Sequence, residues 1–315
     1  MFTLEKYTEK FFSKWNHFVK EAKNGLFFFD RNFMEYHKDR FTDHSLVFLK
    51  GEEIIAVFPA SENQDTVISH GGLTFGSLFI SKSLKAVDVL SIFEQIVSYY
   101  SSKGFKKIIY KAIPYIFNQY PAQEDLYALF RLDATLVRRD ISSVIEIKNR
   151  IKFSETKRQL INKCKKNNVT VKKSGEFGNY WSLLTEVLSK FDASPVHSLQ
   201  EINLLKDGFP ENINLYEAYL DEELLAGIVI FDFGQTVHTQ YMAASATGRK
   251  MGALDYINSH LIEDVYSDRE YYSFGISTEE AGRFLNEGLI QQKENMGGRA
   301  VTLDFYSIDL TKTKQ

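Results

Sequence analysis

Thr236-Val-His-Thr-Gln-Tyr-Met-Ala-Ala-Ser-Ala-Thr-Gly-Arg-Lys-Met-Gly-Ala253 decides how the chain is read. Its first seven residues are rich in β-branched and aromatic side chains and follow a Gly234-Gln235 turn, which predicts a strand over 236–242. The period then changes. From Gly248 onward, Leu254, Ile257, Leu261, Ile262 and Val265 fall on one apolar stripe of a helix. Upstream, the apolar runs 215–220 and 224–233 flank Asp221-Glu-Glu223 as a hairpin. Downstream come a short strand at 271–275, a helix at 278–289 and a closing strand at 300–308.

The first half has the same order of elements. Strands at 45–49 and 54–60 are separated by Lys50-Gly-Glu-Glu53, and a third at 67–69 is broken by His70-Gly71-Gly72. A helix at 84–103 carries Val87, Leu90, Ile92, Ile96, Val97 and Tyr100. A strand at 107–111, a helix at 123–132 and a strand at 136–147 complete the copy. Residue identity does not repeat, so the pattern is a duplicated fold rather than a sequence repeat. Helical patterns at 154–167, 178–190 and 198–205 lie between the copies. The expectation is an α/β chain of two domains, 1–150 and 151–315, each a mixed, mostly antiparallel sheet flanked by helices. Ligands of such sheets bind where strand ends diverge, near a helix N-terminus.

Composition narrows the chemistry. The 315 residues are 44 % apolar and 25 % charged with five prolines, which excludes a disordered or fibrous chain. Twenty-six Phe and 17 Tyr favour thick sheet layers. A net charge of −3 gives no overall cationic field for DNA. Cys164 is the sole cysteine, which excludes an intrachain disulfide and multi-cysteine metal sites and fits a reducing compartment. The first residues lack a secretory pattern, so a cytoplasmic location is expected. No zinc-binding, phosphate-loop, dinucleotide or nucleophile-elbow motif is present, and no metal is expected.

The element order resembles the GNAT superfamily of N-acyltransferases, and two copies in one chain resemble the tandem Fem family, which adds amino acids to peptidoglycan precursors. His238-Thr-Gln-Tyr-Met-Ala, Gly252-Ala-Leu-Asp-Tyr, Phe274-Gly-Ile-Ser, Leu285-Asn-Glu-Gly-Leu and Gln292-Lys-Glu-Asn-Met-Gly-Gly-Arg resemble a bacterial group of Fem-like proteins. These are often encoded among surface-polysaccharide genes. Ser69-His-Gly-Gly-Leu-Thr-Phe-Gly, Pro121-Ala-Gln-Glu-Asp-Leu-Tyr-Ala-Leu-Phe and Pro195-Val-His-Ser fit the same group. The resemblance implies transfer of an acyl group, acetyl from acetyl-CoA first of all, to an amine of an amino sugar on a small or carrier-linked surface-polysaccharide precursor. The alternatives are aminoacyl transfer from a charged tRNA to a peptidoglycan precursor and an inactive ligand-binding module.

It also implies site residues. The acyl-CoA pyrophosphate would lie on the helix start at Thr247, Gly248, Arg249, Lys250 and Gly252, although Leu254 stands where the family's loop has a small residue. His238, a strand residue with a neutral pKa range, would serve as base, sharing a face with Gln240 while Thr239 and Tyr241 face away. The family's usual acid, a Tyr, is replaced by Phe284, and Tyr127 stands in a comparable place of the first copy. Ser277 and Asn286 would flank the catalytic opening, Ser277 being equally readable as a helix cap. Lys293 and Arg299 would orient a phosphate or carboxylate. His70, Lys111, Tyr115, Asp125, His197 and Tyr241 are candidates for the acceptor side; His70 also reads as a turn residue.

Between Lys148 and Lys173 stand ten Lys/Arg and one acid, Glu155. This block reads either as a solvated linker helix or as a platform for CoA, a nucleotide-sugar, tRNA or an anionic membrane surface. Cys164 lies inside it, where cations would lower a thiol pKa, but it lacks a catalytic partner and reads as a small packed residue. The oligomeric state is not legible.

Overall fold

The strand expected at 236–242 runs Thr236–Ala244 and belongs to the second of two units, residues Ile141–Glu279 with Phe284–Val301. The computed structural model describes residues 2–312. Across this unit's sheet the order is Thr170–Ser174, Ile213–Leu220, Glu223–Asp232, Thr236–Ala244, Tyr271–Ile276 and the end of Thr135–Glu146. Neighbours are antiparallel except the Thr236 and Tyr271 strands, which run parallel. Glu223–Asp232 is buried from Leu225 onward, as a strand covered on both faces must be. The helix Ala253–His260 sends Ile257 into one core. The helix Gly178–Ser189 lies on the other face, where a Cβ on Gly227 would come 2.3 Å from the Tyr180 ring.

Two helices differ from expectation. The one opened near Gly248 is broken: Ala246–Met251 ends at Gly252, whose φ of +79° is left-handed, and Ala253–His260 starts again before a wide turn at Leu261–Val265. Leu160 would lie 2.5 Å from a Cβ on Gly252, so glycine serves both the turn and the contact. The helix expected at 278–289 is instead a short hairpin, Thr278–Glu279 against Phe284–Leu285. The helix Glu287–Asn295 follows, capped by Asn286. Positive φ at Glu280, Ala281 and Gly282 rules out helix there.

The first unit comprises the residues up to Asp140, Glu280–Arg283 and those from Thr302 onward. One set of antiparallel strands runs Thr3–Lys6, Leu46–Lys50, Glu53–Phe58 and Phe79–Ile80. A second set holds Thr42–Asp43, Ser61–Asn63, Thr66–Ile68, Lys107–Lys111 and residues 305–309. The three strands expected in one sheet are therefore split, because the chain makes an extra hairpin around Gln64 (φ +55°). The helix Ala86–Ser102 buries Val89, Ile92, Phe93, Ile96 and Tyr100. Val87, expected on that stripe, is exposed. An N-terminal helix, Phe12–Glu21, buries Trp15, Phe18 and Val19.

The closing strands are exchanged. Residues 142–146, expected to close the first copy, pair with Tyr271–Ile276 of the second unit. Residues 305–309, expected to close the second, pair with Lys107–Lys111 of the first. The units therefore interleave along the chain, with breaks at 140/141, 279/280, 283/284 and 301/302, where the expectation was a single division after 150. Among the described residues no helix is long and apolar enough to cross a membrane.

Candidate functional site

In the second unit the parallel strands pair over three residues only: Thr236 with Tyr271, Val237 with Tyr272 and His238 with Ser273. Both then continue, one to Ala244 and the other to Ile276, without further pairing. Among the described residues, one edge of the Thr236 strand beyond His238 thus faces no strand, and its amides and carbonyls can meet an extended ligand. On the opposite edge Val229 pairs with Tyr241 and Ile230 with Thr239, leaving Gln240 as an extra residue. This bulge reverses the alternation. Phe231 faces His238 and Val229 faces Tyr241, so His238 and Tyr241 share a face of the sheet, contrary to the simple period of two.

His238 stands where the strands part. Its Nδ1 lies 3.1 Å from Ser273 Oγ, its ring neighbour across the parallel register. Gly275, with φ of +73°, leaves room for the ring: a Cβ there would lie 3.1 Å from His238 Cε1. Lys293 Nζ donates to Gly275 O at 3.0 Å and to Ile276 O at 2.6 Å, fixing the outgoing end of the Tyr271 strand. Burial, and then the Lys293 charge, push the His238 pKa down to about 4, so the imidazole is neutral at pH 7. Burial also lowers Lys293 to about 8. On the same face His197 Nδ1 and Tyr241 OH are 2.6 Å apart, and Trp181 packs edge-on against Tyr241 and donates to His197 O.

The expected site residues divide accordingly. His238, Tyr241, His197 and Lys293 belong to this face or its immediate support. Ser277 follows the Tyr271 strand; it is buried, its Oγ has no hydrogen-bond partner, and it precedes a hairpin rather than capping a helix. Asn286 is the helix cap instead: its Oδ1 accepts from Leu289 N and its Nδ2 donates to Glu279. Arg299 is exposed and donates to Gly298 O.

At the expected pyrophosphate loop, Ser245 Oγ already accepts the Gly248 amide at 3.0 Å, and Arg249 Nη1 donates to Ala244 O. Gly248 is a packing residue: a Cβ would come 2.0 Å from Leu225 O. Thr247 and Lys250 are exposed, and the helix ends at Gly252. The basic helix Glu155–Lys166 lies against this segment. Leu160 meets Gly252, Lys163 donates to Lys250 O, and Lys157 pairs with Asp255. Arg158, Lys163, Lys165, Lys166, Arg249 and Lys250 are exposed. Cys164 Sγ lies 3.2 Å from Met251 O, and burial raises its pKa to about 11, opposite to the lowering expected from nearby cations.

Among the first unit's candidates, Lys111, His70 and Asp125 are buried and tied to neighbouring groups of the fold. Lys111 Nζ donates to His70 O, Gly71 O and Leu73 O, with burial lowering its pKa to about 8. His70 is buried with φ of +61°, a turn conformation that Gly71 and Gly72 beside it do not share, and burial takes its pKa down to about 3. Asp125, expected at an opening, is fully buried and accepts from Tyr110 OH at 2.6 Å. Tyr115 is half exposed on a short turn. Sequence reasoning missed Ser273 and Gly275 as supports of His238; the Phe274-Gly-Ile-Ser match contained Gly275 without revealing why glycine stands there. Among the described residues no three His, Cys, Asp or Glu side chains gather as a metal site.

Residues 189–281, which contain the parting strands, match the acetyltransferase (GNAT) domain. No curated protein matches the sequence. Among solved structures, FemX superposes with a TM-score of 0.67 at 11 % identity, over 96 % of each chain. L-PGS from Bacillus licheniformis gives 0.64 at 11 % identity, over 98 % of this chain and 94 % of that one. A tandem GNAT protein from the clavulanic acid biosynthesis pathway gives 0.51 at 7 % identity over the whole of both chains. At such identities the likeness is one of fold. Residues 189–281 thus match a GNAT domain, and the whole chain has the fold of tandem GNAT proteins.

Proposed function

We propose that the chain is an acyltransferase that moves an aminoacyl group from an aminoacyl-tRNA to an amine of a cell-envelope precursor. The observation that carries the donor is the segment Ala246–Ala253. Its helix is six residues long, its Gly248 amide is satisfied by Ser245, and a cationic helix packs against it. A short, self-capped helix offers little to a pyrophosphate. Exposed Arg158, Lys165, Lys166, Arg249 and Lys250 offer much to a nucleic-acid backbone. The Fem resemblance and the whole-chain likeness to FemX support the same reading.

The acyl group would lie along the unpaired edge beyond His238. A neutral amine attacks the acyl carbon; the adduct's nitrogen becomes far more acidic than a free ammonium, so even a weakly basic His238 can take its proton. The imidazolium then gives that proton to the departing 3′-oxygen as the ester bond breaks. Ser273 orients the ring. The test is single-turnover transfer with aminoacyl-tRNA and, separately, acetyl-CoA. Lys165→Glu with Lys166→Glu should weaken tRNA binding by about tenfold or more at low salt. Unchanged binding removes this role for the helix.

The second reading keeps acetyl-CoA as donor and an amino sugar as acceptor, supported by the acetyltransferase domain match and by the Ala246 and Thr247 amides at the helix start. Acetyl transfer without tRNA would select it.

A further inference from the structure

The first unit holds a cavity of about 260 Å³ lined by Tyr7, Glu9, Arg31, Met34, Glu35, Lys38, Phe41, Asp43 and His70. Arg31 is its centre. The Asp30 side chain caps the short helix Arg31–Met34, and the Arg31 amide donates to Asn16 Oδ1, so the residue is fixed at its root. Its side chain is 2 % exposed, and its guanidinium lies 3.3 Å from the Tyr7 ring centroid and 4.0 Å from that of Trp15. Nη1 donates to Asp43 Oδ2 at 2.6 Å. Among the described residues Nε and Nη2 have no hydrogen-bond partner, and neither do Tyr7 OH and His70 Nδ1.

A buried guanidinium that leaves two of its nitrogens without an acceptor is costly, by about 1–3 kcal/mol for each. Those two groups form one edge of the guanidinium fork, with parallel N–H bonds spaced for the two oxygens of a carboxylate. Burial holds the Tyr7 phenol protonated, with a pKa near 12, so it too is a donor. The cavity is not simply cationic, however. Two cations, Arg31 and Lys38, face three carboxylates, Glu9, Glu35 and Asp43. A phosphate or sulfate would meet that negative excess. Burial raises the Glu35 pKa even though Arg31 and Lys38 oppose it, with Glu9 and Asp43 adding to the rise, so a further positive group beside it is favourable.

We infer that this cavity is a binding site for a small zwitterion of amino-acid type, its carboxylate on the Nε–Nη2 edge of Arg31 and the Tyr7 hydroxyl, its ammonium beside Glu35 and Glu9. The two ends use opposite sides of the charge inventory, and the aromatic rings of Tyr7 and Phe41 flank the chain between them. The site belongs to the first unit alone and does not rest on the donor assigned to the second.

Titration calorimetry and thermal shift of the full chain with each of the twenty free L-amino acids test it, with inorganic phosphate, L-alaninamide and N-acetyl-L-alanine as single-charge probes. At least one amino acid should bind at millimolar concentration or below. The single-charge probes should bind about tenfold more weakly or not at all. Arg31→Lys keeps the charge but loses the two-pronged edge and should weaken binding about tenfold. Glu35→Gln, at a half-buried position that tolerates the change, should weaken it too, so the result does not depend on the folding of one variant. Absence of binding by every amino acid, phosphate binding as tightly as any zwitterion, or a Glu35→Gln protein that binds unchanged would each overturn the inference.

Discussion

Both units contain a parallel strand pair three residues long, and they treat the point where the strands part in opposite ways. In the second unit, Thr236–His238 pairs with Tyr271–Ser273 and the edge beyond is left without a strand. In the first, Thr66–Ile68 pairs with Lys107–Ile109, and the chain then fills the fork with its own loop. Ser69 Oγ donates to Gly76 O and accepts from Lys111 N, Gly76 N donates to Lys111 O, and Lys111 Nζ ties down three carbonyls of residues 70–73. A lysine ammonium donating to main-chain carbonyls is common to both forks. In one it seals the opening; in the other, Lys293 holds one wall of it. The two copies of one element order thus leave one fork open and close the other with their own backbone.

The largest expected effect separates the two forks directly. His238→Ala should lower single-turnover transfer by about 10²–10⁴-fold, the range of a positioned proton acceptor, with the melting temperature little changed. His70→Ala, at the sealed fork, should lower transfer by no more than about threefold while destabilising the fold. If the His70 variant loses transfer as severely as the His238 variant, the division of labour between the forks is wrong.

Lys111→Met probes the seal. Removing the ammonium strands carbonyls of a buried loop that also holds His70 at positive φ, and should cost about 3 kcal/mol in chemical denaturation. Lys293→Met, which frees two carbonyls at a partly open edge, should cost less stability and more transfer. Equal stability losses would deny that one fork is sealed and the other open.

How much of this was legible in the sequence follows from locality. Strand and helix periods are written in neighbouring residues, so the second copy's hairpin, its third strand and the helices expected at 154–167 and 198–205 lie where the pattern places them. The exchange of closing strands is not local: 142–146 and 305–309 have equally good strand patterns and nothing in either names its partner. The bulge at Gln240 escaped for the same reason, since it is a property of the register with Glu223–Asp232. Its consequence was the side on which Tyr241 lies. Arg31 left a faint trace, a charged Asp30-Arg31 pair directly after Leu26-Phe-Phe-Phe29, where an apolar surround makes any charge worth explaining.

The Tyr110–Asp125 bond beneath the sealed fork gives a pH test. Burial raises the Asp125 pKa to about 6 against an unfolded value near 4. A carboxyl whose folded pKa is raised binds its proton more tightly in the native state, so its contribution is best below about pH 4 and is lost as pH rises to about 6. Asp125→Asn cannot ionise and keeps an oxygen for Tyr110. Relative to the unmodified protein it should therefore gain on the order of 2–3 kcal/mol between pH 4 and pH 7. A stability difference flat across that window would show that Asp125 titrates normally.

The smallest effect sharpens the comparison at the level of single charges. His238 is lowered first by burial and then by Lys293 alone, whereas His70 is lowered first by burial and then by His37, with Lys111 a smaller contributor than the opposing Asp43. Removing the lysine charge at each fork should therefore move the two histidines unequally. In Lys293→Met, proton titration of the His238 ring by NMR should show its pKa rising from about 4 while staying below 6.5, because burial remains. In Lys111→Met, His70 should move less. The transfer rate of the unmodified protein should correspondingly show no break near pH 6.5 attributable to His238, which is neutral throughout that range. A His70 shift as large as that of His238 would mean that the two lysines stand in the same electrostatic relation to their forks, and that the second fork's open wall, rather than its charge, is what distinguishes it.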